Sequence, residues 1–236
     1  MTTPEPLHEK FLDGHVMLVD KPFKWTSFDV VNKIKSMLRH RIGLKKIKIG
    51  HAGTLDPLAT GLLIICTGKA TKQIEQYQGL EKTYTGTFKL GQVTPSYDLE
   101  TSPEKDQPFG HITPEQIDEA MQRLTGEQKQ LPPIYSAKKI KGERAYQYAR
   151  QGRETILKAN DIQINSFEVT RIDLPDVDFS VSCSKGTYIR ALARDLGSLL
   201  GCGAYLSALR RTHIGSYSVD DAMGMDEVIR EFDQFR

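Results

Sequence analysis

Apolar positions along this chain switch between a period of two, a period of three to four, and short unbroken runs, and each switch marks an element. Residues 15–20 read as a strand. Thr26 or Ser27 can cap a helix whose stripe is Val30, Val31, Ile34, Met37 and Leu38. An apolar run at 47–49 and a buried strand at 62–66 flank a glycine-bracketed loop, and a short helix follows near 71–77. Residues 82–90 alternate, with Tyr84, Gly86, Phe88 and Leu90 on one face and Thr83, Thr85, Thr87 and Lys89 on the other.

Residues 91–111 form a loop. Thr113, Pro114 and Gln116 then supply an N-cap, a proline at the first helical position and a capping-box partner. Ile117, Ala120, Met121 and Leu124 are that helix's stripe, and Gly126 ends it. The segment 127–155 is basic, holds Pro132 and Pro133, has a helix-like stretch at 143–150, and reads as a mobile appendage rather than core. The last third returns to regular structure: strands within 162–172 and 177–183, a helix over 187–200, and a strand near 205–211. Residues 226–236 make at most a short helix, and the polar first fourteen residues read as frayed. Strands and helices without a regular βαβ rhythm argue an α+β fold.

Composition narrows the setting. At 236 residues the chain can bury a core as a single domain spanning 1–236, with the 127–155 segment appended. It has no apolar run of about 18 or more and no signal-peptide pattern, which predicts a soluble, cytoplasmic protein. Cys66, Cys183 and Cys202 lie in apolar or glycine-rich surroundings with no Cys-x-x-Cys, so they read as structural thiols, with no metal expected. Net charge is only +2, yet its distribution is uneven. Lys33, Lys35, Arg39, Arg41, Lys45, Lys46 and Lys48 follow one another without an intervening acid. A second basic stretch holds Lys138, Lys139, Lys141, Arg144, Arg150 and Arg153. Two such runs on either side of the glycine-bracketed loop suit phosphate binding.

That loop, residues 50–61, places a single carboxylate, Asp56, between the two strand-like runs. Pro57 biases Asp56 toward extended or turn geometry. Glycines at 50, 53 and 61 allow close backbone approaches. By local chemistry alone Asp-Pro is an ordinary turn or helix start.

The loop resembles the catalytic loop of the TruB-type tRNA pseudouridine synthases, in which this Asp is the essential carboxylate. Four further blocks resemble that family in its order. Val16-Met17-Leu18-Val19-Asp20-Lys21-Pro22, followed by Trp25-Thr26-Ser27-Phe28-Asp29-Val30-Val31, is similar to its N-terminal block. Lys82-Thr83-Tyr84 resembles the block of its active-site tyrosine, and Ser184-Lys185-Gly186-Thr187-Tyr188-Ile189-Arg190 that of its active-site arginine. Leu209-Arg210-Arg211-Thr212-His213-Ile214-Gly215 resembles the end of its catalytic domain. Together they span residues 16–215.

The resemblance implies the pseudouridine synthase fold, a bent, mainly antiparallel mixed sheet flanked by helices with the active cleft across it. It implies isomerisation of uridine to pseudouridine in the T-loop of tRNA by a monomer needing no cofactor and no metal. The reaction breaks the N1–C1′ bond, rotates the uracil and rejoins it through C5. Three roles suit a carboxylate at Asp56: attack on the base, attack on C1′, or deprotonation at C2′. Tyr84 would stack on the target uracil, and Arg190 would pair with the catalytic Asp. Near a helix start, a cation opposes the helix dipole and calls for a neighbouring carboxylate. His51 would fill the gap left by the extruded nucleotide. Lys21 would contact phosphate or support the loop, and Tyr188 and Leu209 match pocket walls.

Two departures stand out. The family's Thr-x-Thr-x-Asp motif appears as Thr94-Pro95-Ser96-Tyr97-Asp98, followed by Leu99-Glu100 where a glycine is usual. Asp98 is therefore a candidate contact to the target or flipped nucleotides on a modified motif. The chain ends at Arg236, leaving no room after Gly215 for a PUA-type RNA-binding domain. Competing readings are a guide-dependent synthase of the Cbf5 or dyskerin branch, which depends on such a domain and on protein partners, and a non-catalytic RNA-binding or tRNA-folding protein. A non-catalytic relative would be expected to have lost one of Asp56, Tyr84 and Arg190.

Overall fold

The computed structural model describes residues 7–136, 139–140, 143–144 and 157–234. In chain order the elements are α1 (Leu7–Gly14), β1 (Val16–Lys21), α2 (Ser27–His40), β2 (Ile49–Ala52), β3 (Thr60–Thr67) and, after a 3-10 turn at Gly68–Gln73, α3 (Ile74–Gly79). Then follow β4 (Lys82–Leu90), α4 (Pro114–Arg123), β5 (Gly126–Gln130), β6 (Lys139–Ile140) and β7 (Glu143–Arg144). The chain closes with β8 (Asn160–Asp173), β9 (Asp176–Cys183), α5 (Ile189–Leu200), β10 (Ala204–Ile214), β11 (Tyr217–Ser218), β12 (Met223–Gly224) and α6 (Met225–Asp233). The fold is α+β, and it divides into two compact units. One holds the chain up to Lys82 with the stretch from Arg210 onward, and the other is Thr83–Leu209.

In the first unit β3 is the central strand. It runs antiparallel to β1, from Val16↔Cys66 to Lys21↔Gly61, and β1 pairs in parallel with β12. The other edge of β3 is shared: β10 pairs in parallel with it at Thr60 and Gly61, and β2 pairs antiparallel from Ile64 to Thr67. Strand alternation splits its apolar residues between two cores. Leu63 and Ile65 join the cluster under α2 and α6, with Val30, Ile34, Leu38 and Val228. Leu62, Ile64 and Cys66 join Ala52, Ala70, Ile214 and Val219 on the other face. The α2 stripe is buried as its spacing predicts, and Thr26 is the N-cap, with Asp29 completing a capping box.

In the second unit the strand order is β10-β4-β9-β8-β5, with β8 antiparallel to both β9 and β5. α4 packs on α5 and on β8. On β4, Tyr84, Phe88 and Leu90 are buried in the predicted alternation. Phe88 stacks on Phe179 at 4.0 Å between ring centroids. Gly86 is required here, because a Cβ would lie 2.5 Å from the Ala208 carbonyl oxygen and 2.8 Å from the Phe179 ring.

Two sequence expectations are corrected. The start of the chain is not frayed from residue 7 onward: α1 buries Phe11, which stacks on Phe232 of α6 at 5.7 Å. The beginning of the 127–155 segment is sheet, because β5 lies on β8 and turns Gln130 inward, 1% exposed. Further along, of the helix-like stretch expected at 143–150, residues 143–144 are instead strand, paired antiparallel with 139–140, and 145–150 lie outside the described residues, as do 151–156.

Candidate active site

Asp56 stands in the loop joining β2 to β3, and its neighbours are held by the first unit's scaffold. Its carbonyl accepts the Ala59 amide at 3.1 Å, closing a turn over Pro57 and Leu58. Leu55 on one side is clamped by Ser27, the first residue of α2. The Ser27 hydroxyl accepts the Leu55 amide at 2.8 Å and lies 3.2 Å from the Leu55 carbonyl, to which it donates. Pro57 on the other side offers its carbonyl to the Lys24 amide at 2.9 Å and to Lys21 Nζ at 3.4 Å. A carboxylate between two residues pinned in this way has little freedom to lose on binding a substrate.

Lys21 is fully buried at the end of β1. Its ammonium also donates to the carbonyls of Trp25 at 2.6 Å and Pro22 at 3.1 Å. Burial pushes its pKa down to about 8, and the Arg211 charge adds to that, while Asp56, Asp29 and Asp20 pull the other way. Lys21 and Asp56 are thus electrostatic neighbours, and Lys21 also reaches the carbonyl next to Asp56. The folded protein releases this proton near pH 8, the unfolded chain near 10.5. Between those values the unfolded state binds more protons, so the group's contribution to stability rises with pH. Wild type should gain unfolding free energy relative to Lys21→Met as the pH climbs through that window. A difference between the two that stays flat from about pH 8 to 10 in denaturant titrations would contradict this environment for Lys21.

His51 lies on β2 opposite Ile65, half-buried. Burial and the Arg211 charge hold its pKa below the ordinary histidine value, so the ring is neutral near pH 7. On the opposite face of the sheet from Lys21, Arg210 forms a two-pronged pair with Asp20, at 3.1 and 2.7 Å. No local signal in the sequence marks Ser27 as a clamp on Leu55 or Arg211 as a partner of the Gly53 carbonyl, although Arg211 lies between Leu209 and Gly215. Spacing alone offers Ser27 as a helix cap, a role that Thr26 takes.

The second unit holds Tyr84, Asp98, Tyr188, Arg190 and Leu209. Tyr84 is 8% exposed on β4, and Leu209 is half-buried on β10. Arg190 is the second residue of α5, behind the N-cap Tyr188, and is 4% exposed. Its Nη1 donates to the carbonyls of Tyr135 at 2.9 Å and Ser96 at 3.2 Å, and its Nε lies 3.4 Å from Asp98 Oδ2. Asp98 thus sets a carboxylate beside the cation at this helix start. Asp98, 4% exposed, accepts from the Ser96 hydroxyl at 2.6 Å and the Glu100 amide at 2.9 Å, so the modified motif folds around a buried charge. The structure sets Asp98 beside Arg190 within the second unit. Gln130 completes the arrangement unforeseen, its side-chain amide bonding both the amide and the carbonyl of Tyr188 at 2.8 and 3.1 Å.

The three cysteines are buried and unbridged, and burial pushes Cys66 up to about 11, which leaves it protonated and inert. Among the described residues no group of three or more His, Cys, Asp or Glu side chains converges as a metal site would.

Residues 39–189 match the family model described as TruB family pseudouridylate synthase (N terminal domain), and 190–234 the one described as tRNA pseudouridylate synthase B C-terminal domain. The chain is 54% identical over 216 residues to the tRNA pseudouridine synthase B of Flavobacterium johnsoniae, covering 91% of this chain and 94% of that one. It is 50% identical over 224 residues to the protein of the same name from Phocaeicola vulgatus, covering 95% of each. Among solved structures it resembles a chain of a Cbf5-Nop10-Gar1 complex, with TM-score 0.72 and 29% identity over 96% of this chain. It spans 56% of that chain.

Proposed function

Because the chain belongs to the TruB family of pseudouridylate synthases, we propose that it converts uridine to pseudouridine in the T-loop of tRNA, with Asp56 as the catalytic carboxylate. The observation that carries this reading is the loop itself. The Asp56 carboxylate stands between Leu55 and Pro57, each tied to scaffold side chains or amides, within a chain half identical to tRNA pseudouridine synthases B along nearly their whole length. The 54% and 50% identity to two tRNA pseudouridine synthases B, against 29% to the chain of the Cbf5 complex, favours tRNA over a guide-selected substrate.

In this reading Asp56 acts beside the ribose as the N1–C1′ bond breaks, Tyr84 flanks the uracil, and Arg190 completes the catalytic set. His51, neutral and planar, takes the space of the extruded nucleotide, a job in which a charged ring would pay desolvation. Tyr188 and Leu209 line the pocket. Asp98 serves by holding Arg190. The protein works as a cytoplasmic monomer, and no described helix is long and apolar enough to cross a membrane.

Grip on the RNA falls to the basic run 33–48 together with the basic 127–155 segment. Lys33, Lys35, Arg39, Lys45, Lys46 and Lys48 are exposed, whereas Arg41 turns inward to Asp233 at 2.7 Å and the Ile229 carbonyl at 3.0 Å. Each phosphate neutralised adds roughly 0.7–0.9 to the slope of log K against log salt. Replacing Lys45, Lys46 and Lys48 by Gln should flatten the slope for tRNA by about 2 units and weaken all RNA substrates alike. An unchanged slope would move the phosphate contacts elsewhere.

Forming the C1′–C5 bond expels the C5 hydrogen, so tRNA transcribed with tritium at uridine C5 should release label stoichiometrically with one uridine per molecule. No release with folded protein would favour a binding-only role.

A further inference from the structure

Arg211 is the largest fully buried side chain among the described residues, at 1% exposure, and it sits on a β-strand where an arginine would ordinarily reach for water. A guanidinium removed from solvent must be compensated by well-made hydrogen bonds. Its partners are specific: Nε donates to the Leu62 carbonyl at 2.8 Å and Nη2 to the Gly53 carbonyl at 3.0 Å. Gly53 opens the loop that carries Asp56, and Leu62 lies just inside the strand that closes it.

The position of those carbonyls explains why a side chain is needed. One edge of β3 is paired with β10 up to Gly61 and with β2 from Ile64 onward. Between the two partners the ladder changes hands, and Arg211 Nε reaches the Leu62 carbonyl there. Gly53, at φ 87°, has already left the β2 ladder, and Nη2 takes its carbonyl. The approach is close on every side. A Cβ on Gly53 would lie 3.3 Å from Nη1, and a Cβ on Gly61, at φ 105°, would overlap the Arg211 carbonyl and stand 2.7 Å from its amide nitrogen. Arg211 therefore starts from a fixed backbone and ends on two fixed carbonyls.

Resting on the reading of Asp56 as the catalytic carboxylate, we infer that Arg211 is a positioning residue: its guanidinium fork ties the two ends of the 53–62 loop together and so fixes where the carboxylate stands. Ser27 and Lys21 hold the residues flanking Asp56, and Arg211 holds the root from which they depart. Only arginine presents two donors at the fixed separation these carbonyls require, and a lysine ammonium can satisfy one well.

The test compares Arg211→Lys, Arg211→Gln, Ser27→Ala and Asp56→Asn with wild type. Single-turnover rates at saturating tRNA are corrected for the folded fraction from thermal melts, and tRNA dissociation constants are measured alongside. Arg211→Lys should lower the rate by about tenfold to a hundredfold while the dissociation constant stays within about threefold, because the loop is displaced and not the RNA surface. Combining Arg211→Lys with Ser27→Ala should cost less than the product of the single losses, since both changes loosen one loop. A change that merely destabilises the fold would lower the melting point and leave the corrected rate unmoved, and that result would overturn the inference. If Arg211→Gln fails to fold, Arg211→Lys carries the comparison. Asp56→Asn separates the two ideas: an inactive Asp56→Asn beside a fully active Arg211→Lys sinks the positioning role alone, whereas an active Asp56→Asn sinks the catalytic reading beneath it.

Discussion

Asp56→Asn should bind tRNA as wild type does, with a dissociation constant within about threefold, while turnover falls by at least about a thousandfold, ~4 kcal/mol of barrier. Asparagine matches the carboxylate in shape, and what holds the loop is the backbone of its neighbours. The Ala59 amide bonds the residue's own carbonyl, Ser27 takes Leu55, and Lys24 and Lys21 take the Pro57 carbonyl, none of which the substitution touches. The backbone frame of the loop is therefore kept, and what the substitution removes is the charge, including its attraction to Lys21. Gel-shift affinity and tritium release on the same preparation decide the matter. Turnover within tenfold of wild type would remove Asp56 from the chemistry, and a parallel collapse of binding would assign it to the RNA interface instead.

Arg190→Lys is expected to be nearly as damaging and for a different reason. Arg190 is 4% exposed and directs one nitrogen at the carbonyls of Ser96 and Tyr135 and another toward Asp98. A lysine ammonium concentrates its charge at one point and cannot serve both directions, so either the carbonyls or the buried Asp98 carboxylate goes undersatisfied. Disrupting a buried charge pair costs about 3–5 kcal/mol when one partner is removed outright, and a misfitting cation should cost part of that. The melting temperature should fall by several degrees, and turnover should drop more than about a hundredfold. Asp98→Asn, which keeps the side chain's shape but removes its charge, should be intermediate in both readouts. Arg190→Lys turning over at the wild-type rate would place Arg190 outside the catalytic set.

The elements that could be read ahead of the structure are those whose signals are local. The α2 stripe, the alternation of β4 and the capping box of α4 each rest on residues within a few positions of one another, and each is found where its spacing puts it. The α1 helix escaped notice because its anchor, Phe232, comes from the far end of the chain. β5 escaped because its polar sequence is a strand only by virtue of its pairing with β8. The same division runs through the site. Asp56, Tyr84 and Arg190 were legible as residue types within recognisable blocks. The burial of Asp98 against Arg190, the Gln130 link to Tyr188 and the Arg211 fork are consequences of tertiary packing. A buried arginine on a strand looks, in sequence, like any surface cation.

The catalytic role of Asp56 in the T-loop is tested most directly by incubating the purified protein with an unmodified tRNA transcript and mapping pseudouridine by carbodiimide-dependent stops in primer extension. Wild-type protein should give one stop, in the T-loop, and Asp56→Asn none. Stops outside the T-loop, or an undiminished T-loop stop with Asp56→Asn, would contradict that role.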